Sequence, residues 1–391
     1  MAETKIHQFS LAERDRRWTA IRAGMERDGF DCLIVRGISS KWDSGIANIR
    51  YLSQIGGNGE EAMAVVPAKG DPVVLVWSPT QLEWWPLAQD WVSDIRLGSP
   101  DWAANTVACV EELGCASGRI GVVGMGGATG AGKVMSYEIQ KSIMDGLPEA
   151  EFHPGSHVFE EVRITKSPEE ITFLENSAAL CDVGISAMLA SAKPGVKAHE
   201  VYGEMLGSIF KAGGESPMFL MYEADKAPRH ALRFPSDHVI GEGYMILQEI
   251  SPKWGGYWTQ AMVPVSLGKP KSVYNDLNEV TVNAYDTAVA TIRPGVSTRE
   301  LAAAINEPIK EAGYMWLRSQ WQGLGLEQIE EPNDNSSRGA GSDSADAVLR
   351  EGMVLGLQPM AGTQDGKYGI QVGDTVVVTA DGARRLGKTE M

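Results

Sequence analysis

Two polar side chains eleven residues apart, Glu249 and Gln260, lie in the segment Tyr244 to Leu267, which reads as two strands around a turn at Lys253-Trp254-Gly255-Gly256. A turn centred between Trp254 and Gly255 sets Glu249 directly opposite Gln260, with Cβ atoms about 5 Å apart. A carboxylate facing a neutral amide is suited to work as a general base or nucleophile. Two other patterns suggest chemistry and fall short of it. Gly127-Ala128-Thr129-Gly130-Ala131-Gly132-Lys133 has the spacing of a phosphate-binding loop, but the hydroxyl that would hold magnesium is replaced by Val134, so a plain glycine loop before a helix is expected. The four cysteines (Cys32, Cys109, Cys115, Cys181) have no zinc spacing, and the six histidines form no HExxH pair.

The elements that must carry these residues fall into two regions. Up to about residue 162 the chain alternates between helix and strand. A helix over Ala12 to Asp28 stops at Gly29, and strands are expected at Cys32 to Val35, Ile49 to Leu52, Ala62 to Val66, Val73 to Trp77 and Ile120 to Val123. Trp102 to Leu113 reads as a helix. Beyond residue 163, Ser167 and Pro168 are a natural cap and first residue for a helix running to about Ser191, and a second helix follows over His199 to Ala212. Pro194-Gly195-Val196 and Pro294-Gly295-Val296 lie one hundred residues apart, each leading into a helix, which hints at an internal duplication.

Bulk properties exclude several functions. With 35 basic against 51 acidic residues, the formal charge of −16 argues against general affinity for nucleic acid or an anionic membrane. No apolar run approaches the roughly 20 residues that span a bilayer, and Met1 to Trp18 lacks the apolar stretch of a secretory signal. Free thiols in a reducing cytoplasm are the resulting expectation.

Several separated blocks then occur in a telling order. They are Asn48-Ile49-Arg50-Tyr51-Leu52, Arg163-Ile164-Thr165-Lys166-Ser167-Pro168-Glu169-Glu170-Ile171, the hairpin, Gly323-Leu324-Gly325-Leu326-Glu327, Met353 to Met360, and Gly369 to Thr375. Together they resemble the creatinase, prolidase and aminopeptidase P family. The resemblance implies an α/β N-terminal domain over 1–162 and an α+β pita-bread domain over 163–391. Metallopeptidase members of that family hold two divalent metals on two aspartates, a histidine and two glutamates. Carried over residue by residue, those positions fall on Glu249, Gln260, Gln322, Gln358 and Gly373. One carboxylate and three neutral amides are a poor cage for two dications. The expectation is therefore no metal and no cofactor, with a dinuclear Xaa-Pro peptidase disfavoured.

Creatinase and ectoine hydrolase, which the chain also resembles, use this fold without metal. By that likeness Glu249 would be base or nucleophile, and His230, in Pro228-Arg229-His230-Ala231, its acid–base partner. Creatinase's own two glutamates fall on Met262 and Gln358. Gln260, Gln322 and Gln358 would orient a planar polar substrate, and Trp258, Trp321 and Tyr222 would line its site. Trp258 shares a strand face with Gln260, and aromatic faces in an acidic chain suit cationic ligands. The expected activity is metal-independent hydrolysis of a C–N bond in a small polar nitrogen compound. A lyase working by proton abstraction, and a non-catalytic binding protein, are the alternatives. Family habit adds a homodimer in which one subunit's N-terminal domain closes the other's site.

Overall fold

The computed structural model describes residues 6–57, 59–231, 236–317, 320–334 and 346–390. The chain divides into two compact units, Met1–Ile164 and Thr165–Met391, an α/β unit followed by an α+β unit.

In the first unit, α1 (Leu11–Asp28) begins where the Ser10 side chain accepts a hydrogen bond from Glu13 N and ends at Gly29, whose φ of 70° suits a left-handed cap. Then come β1 (Cys32–Ile38), α2 (Ala47–Ser53), β2 (Glu61–Pro67), β3 (Val73–Val76), α3 (Pro79–Ala88) and β4 (Asp94–Leu97). They are followed by α4 (Trp102–Glu112), β5 (Arg119–Val123), α5 (Tyr137–Gly146), β6 (Glu151–Pro154) and α6 (Ser156–Ile164). The strands form one mixed sheet in the order β4-β3-β2-β1-β5-β6. The strand expected at Ile49 to Leu52 is instead part of helix α2. Its burial is helical rather than alternating: Ala47, Asn48, Ile49, Tyr51, Leu52 and Ser53 are buried and Arg50 is not. Asn48 is tied down by Arg163, whose Nη1 donates to Asn48 Oδ1 at 2.7 Å.

The glycine loop at 127–133 is filled by the chain itself. Glu160 Oε1 accepts from Thr129 N at 3.1 Å, and a Cβ at Gly127 or Gly132 would meet that same oxygen. A carboxylate thus occupies the cradle that a phosphate would need, which agrees with the plain-loop expectation.

The second unit opens with α7 (Pro168–Ser191) and α8 (Ala198–Lys211), then β7 (Phe219–Asp225), β8 (Met245–Ser251), β9 (Lys253–Trp254), β10 (Tyr257–Trp258) and β11 (Val265–Ser266). Next come α9 (Ser272–Thr291), α10 (Thr298–Glu311), β12 (Met315–Trp316), β13 (Trp321–Gly323) and β14 (Glu330–Asn333). It closes with β15 (Val354–Leu357), β16 (Met360–Gly362), β17 (Gly369–Gln371), β18 (Asp374–Val378) and β19 (Ala383–Arg385). Its main sheets run β11-β8-β7, β12-β16-β17 and β14-β13-β15-β18-β19. By length and composition α7 is apolar enough to cross a membrane. Here it is a core helix instead: Leu180, Cys181, Ile185 and Met188 pack with Val201, Met205 and Ile209 of α8 against Leu220, Ile246 and Ile250 of the first sheet.

The paired Pro-Gly-Val triplets mark a real structural repeat. Gly195 and Gly295 have φ of 96° and 94°. Gly195 N donates to Ile240 O and Ile240 N to Val196 O, while Gly295 N donates to Leu349 O and Leu349 N to Val296 O. Bridges Lys197↔Val239 and Ser297↔Val348 complete the match.

One buried acid makes the first unit sensitive to pH. Glu60 accepts hydrogen bonds from Trp85 Nε1 at 3.0 Å and Gln81 Nε2 at 3.1 Å. Burial nonetheless pushes its carboxyl up to about 7, against those bonds. The folded state therefore binds the proton more tightly than the unfolded one. The resulting stability is fully present below the unfolded value and is lost as pH rises through about 7. Glu60→Gln, which preserves an acceptor for Trp85, should flatten that loss, worth about 3 kcal/mol. Urea denaturation of both proteins at mildly acidic and mildly alkaline pH checks this; parallel pH profiles would refute it.

Candidate active site

Of the candidate residues, Glu249, Trp258 and Gln260 share one face of β8 and its continuation through β10. Strand pairing places Met221 opposite Glu249 and Tyr222 opposite Gln248. Because side chains alternate, Glu249 and Tyr222 project to opposite faces. Tyr222 belongs to the core packed against α7 and α8, so it stands behind the sheet from Glu249 rather than beside it.

The turn after β8 corrects the expected register. Trp254 pairs with Tyr257, Lys253 with Trp258, and Ile250 with Ala261. The turn is therefore centred on Gly255-Gly256, two residues both at positive φ (56° and 84°), as a two-residue hairpin of this hand requires. A Cβ at Gly255 would also strike Phe173 at 2.3 Å. In consequence Gln260 lies opposite Ser251, and Glu249 lies opposite Met262. Glu249, Ser251 and Lys253 share the interior face with Trp258, Gln260 and Met262. Glu249 is buried, as are Ser251, Lys253, Trp258 and Gln260.

Backbone contacts hold this face rigid. Trp258 N donates to Gly325 O at 2.7 Å, and Met262 and Gly373 exchange a pair of hydrogen bonds at 2.9 and 3.0 Å. Thr375 clamps Gln260, its Oγ1 accepting from Gln260 N at 2.9 Å and donating to Gln260 O at 3.0 Å. The glutamine side chains then form a chain. Gln322 Nε2 donates to Gln260 Oε1 at 3.0 Å and to Gln328 O at 3.0 Å, and Gln260 Nε2 donates to Gln358 Oε1 at 3.1 Å. Gly356 makes room for it, since a Cβ there would lie 2.4 Å from Gln260 Nε2. Three residues that the family resemblance places in the site are thus physically joined.

The remaining candidates are placed as follows. Trp258 is fully buried with Lys253 Nζ 5.2 Å from its ring centroid. Trp321 is buried on β13 opposite Leu357, and Trp316 is exposed. His230 is half-buried, in a segment that lies along β17: Pro228 O accepts from Gly369 N at 3.4 Å and from Tyr274 Oη at 2.5 Å. Ser251, Lys253, Thr375 and Gly356 were not singled out from sequence. Ser251 and Lys253 had a usable signal, since both alternate in step with Glu249.

Comparisons with known proteins follow from this fold. The model described as Metallopeptidase family M24 matches residues 172–380, and that of the Creatinase/Prolidase N-terminal domain matches 17–165. An Xaa-Pro dipeptidase of Pyrococcus furiosus is 28% identical over 263 residues, covering 66% of this chain and 72% of its own. A creatinase from a Bacillus species is 22% identical over 289 residues, covering 71% and 68%. The structure of an Xaa-Pro dipeptidase from Bacillus anthracis superposes with a TM-score of 0.79 at 21% identity, covering 96% of this chain and 98% of that one. The two-domain pita-bread architecture expected from sequence is therefore present.

The same comparisons correct the functional expectation. Xaa-Pro dipeptidases match at higher identity than creatinase does, and the family is one of metallopeptidases. The metal-independent, creatinase-like hydrolase of a small nitrogen metabolite is overturned on that ground, and the lyase and non-catalytic readings fit no better.

Kinship and donor chemistry diverge at the metal positions. Glu249, Gln260, Gln322, Gln358 and Gly373 supply one carboxylate, and the amides are tied to one another. Among the described residues no group of three or more His, Cys, Asp or Glu could hold a metal ion. Asp374, next to Gly373, is committed elsewhere: Arg385 Nε and Nη2 donate to its Oδ2 at 3.0 and 2.9 Å. Burial raises the Asp374 carboxyl above its usual range, and Arg385 opposes that rise. The residues present do not fit a pair of divalent ions.

Gly373 shows that this is more than a side-chain exchange. A Cβ built there would sit 2.2 Å from Leu357 O and 3.0 Å from both Gln358 Cα and Met262 Sδ. The backbone has closed over the space a side chain would need. Gly373→Ala should destabilise the protein by about 2 kcal/mol through overpacking. Chemical denaturation measures it; a stability equal to the parent would show that this strand moves aside freely.

Proposed function

The chain belongs to metallopeptidase family M24, and from that premise we propose that it hydrolyses an amide bond in a short peptide of the Xaa-Pro class. The carrying observation is that the only carboxylate among the five inherited positions, Glu249, shares the interior strand face with Gln260, the middle of a hydrogen-bonded chain of three amides. Amide hydrolysis needs a group to take a proton from the attacking water, a donor for the departing nitrogen, and hydrogen bonds to the reacting carbonyl. Glu249 takes the first role. His230 takes the second, on a segment fixed against β17. The glutamine chain and Trp258 position the peptide, and their burial excludes bulk water from around it.

Release of proline from a panel of Xaa-Pro dipeptides, followed with and without added manganese, cobalt or zinc, tests the reading. Turnover should be seen, and Glu249→Gln should lower kcat by about a hundredfold or more with the fold retained. Absence of proline release under every condition would refute the assignment. Full activity in the Glu249→Gln protein would remove that residue from the mechanism.

A further inference from the structure

Beyond the last strand, residues 386–389 fold back onto the second unit and meet the far side of β18. Asp374 points away from the interior face and Thr375 into it, because side chains alternate. The two oxygens of the buried Asp374 carboxylate are shared between strand and segment. Oδ1 accepts from Thr375 N at 2.6 Å, and Oδ2 from Arg385 Nε and Nη2 at 3.0 and 2.9 Å. Arg385 Nη2 also donates to Thr389 O at 2.8 Å. Thr389 is held in turn by Asp182 of α7, whose Oδ1 accepts from Thr389 N at 2.9 Å and from its Oγ1 at 2.5 Å. Lys388 N donates to the same carboxylate at 3.2 Å.

This support falls where the sheet gives least. The β18–β19 ladder ends at Val376 paired with Arg385, so Asp374 and Thr375 lie past it on that side. There Leu386 N donates to Thr375 O at 2.9 Å, and Gly387 comes so close that a Cβ would lie 2.7 Å from both Asp374 oxygens. On the interior face Thr375 Oγ1 clamps the Gln260 backbone. Hydrogen bonds thus run without a break from Asp182 through Thr389, Arg385, Asp374 and Thr375 to Gln260. Gln260 is the middle of the amide chain, whose bonds act only over short, well-aligned distances, so its placement needs support from behind.

We propose that Asp182, Arg385 and Asp374 are positioning residues for the site: by latching residues 386–389 against α7 they fix Thr375, and through it the orientation of Gln260. The inference rests on the short-peptide reading only for its kinetic consequence. None of the three touches the interior face. Their effect is carried by the Thr375 clamp, which the Gln260 N–H reports directly because its hydrogen bond is to Thr375 Oγ1.

Amide hydrogen exchange of the full chain, resolved to single residues by mass spectrometry, tests this without substrate. Asp182→Ala should speed exchange at Gln260 at least about tenfold while β7 and β15 stay within about twofold of the parent. Asp182→Asn, which keeps an oxygen for both Thr389 donors, should remain within about threefold at Gln260, and Thr389→Val should fall between the two. An unchanged Gln260 rate in Asp182→Ala would overturn the proposal, as it would in Thr389→Val should the first variant not fold. Uniform acceleration across the second unit would overturn it too, since that marks a contribution to stability alone. Asp182→Asn exchanging as fast as Asp182→Ala would do the same, by assigning the effect to charge. In proline release, Asp182→Ala should lower kcat severalfold with KM within about twofold. A parent that releases no proline would sink the short-peptide reading alone, with the exchange rates still deciding the latch.

Discussion

A two-residue turn with both φ angles positive decides which side chains meet on the interior face of the second unit. Gly255 and Gly256 let β9 and β10 reverse without a bulge, and Phe173 fills the space beside Gly255 that any Cβ would contest. With the turn there, Gln260 falls opposite Ser251, where it reaches Gln322 and Gln358, and Met262 falls opposite Glu249. A turn displaced by one residue along the chain would offset the strands by two residues without changing faces. The same residues would point inward but meet different neighbours. The network of amides is therefore a consequence of register as much as of residue type.

The strand carrying Gly373 completes that constraint. Met262 and Gly373 exchange backbone hydrogen bonds, so the hairpin and β18 are joined at the point where the family places its last ligand. A Cβ at Gly373 would fall 2.2 Å from Leu357 O and 3.0 Å from Met262 Sδ, so the space where a side-chain stem would begin is taken by the neighbouring backbone. Asp374 cannot substitute, because the next residue in a strand points the other way, and Arg385 holds it there. Replacing carboxylates by amides also removes the mutual repulsion that a metal would otherwise have to offset. The three amides satisfy one another in a hydrogen-bonded chain, which leaves Glu249 as the one charged group among the five positions.

Much of this was legible in the sequence, for identifiable reasons. The capped helix at Ser167-Pro168, the stop at Gly29 and the strands at Val73 and Ile120 rest on local signals that act over one turn or one strand. The triplets at 194 and 294 encode the same φ and the same bridge twice over. One strand failed where local pattern is ambiguous. Ile49 to Leu52 is a short, mostly apolar run that serves helix or strand equally, and in the structure it is helical, with the neighbouring Asn48 held by Arg163. The hairpin failed because the turn was centred on Trp254-Gly255, although a two-residue turn of this hand needs positive φ at both positions and Gly255-Gly256 supplies it locally. The functional expectation failed differently: it took the donor set as evidence of kinship with creatinase, whereas kinship is recorded by the whole chain.

The duplication explains why so small a change at one turn reaches the whole site. Each half supplies a helix pair, α7–α8 and α9–α10, joined through matching glycine bends to its own strands. Glu249 and Gln260 come from the first half; Gln322, Gln358 and Gly373 come from the second. The contacts that unite them, Gln260 with Gln322, Gln358 and Thr375, and Met262 with Gly373, all cross between halves. Directional hydrogen bonds between neutral groups join the halves at these positions, and they act only over short, well-aligned distances. The site is consequently built from buried side chains clamped by backbone and by one another.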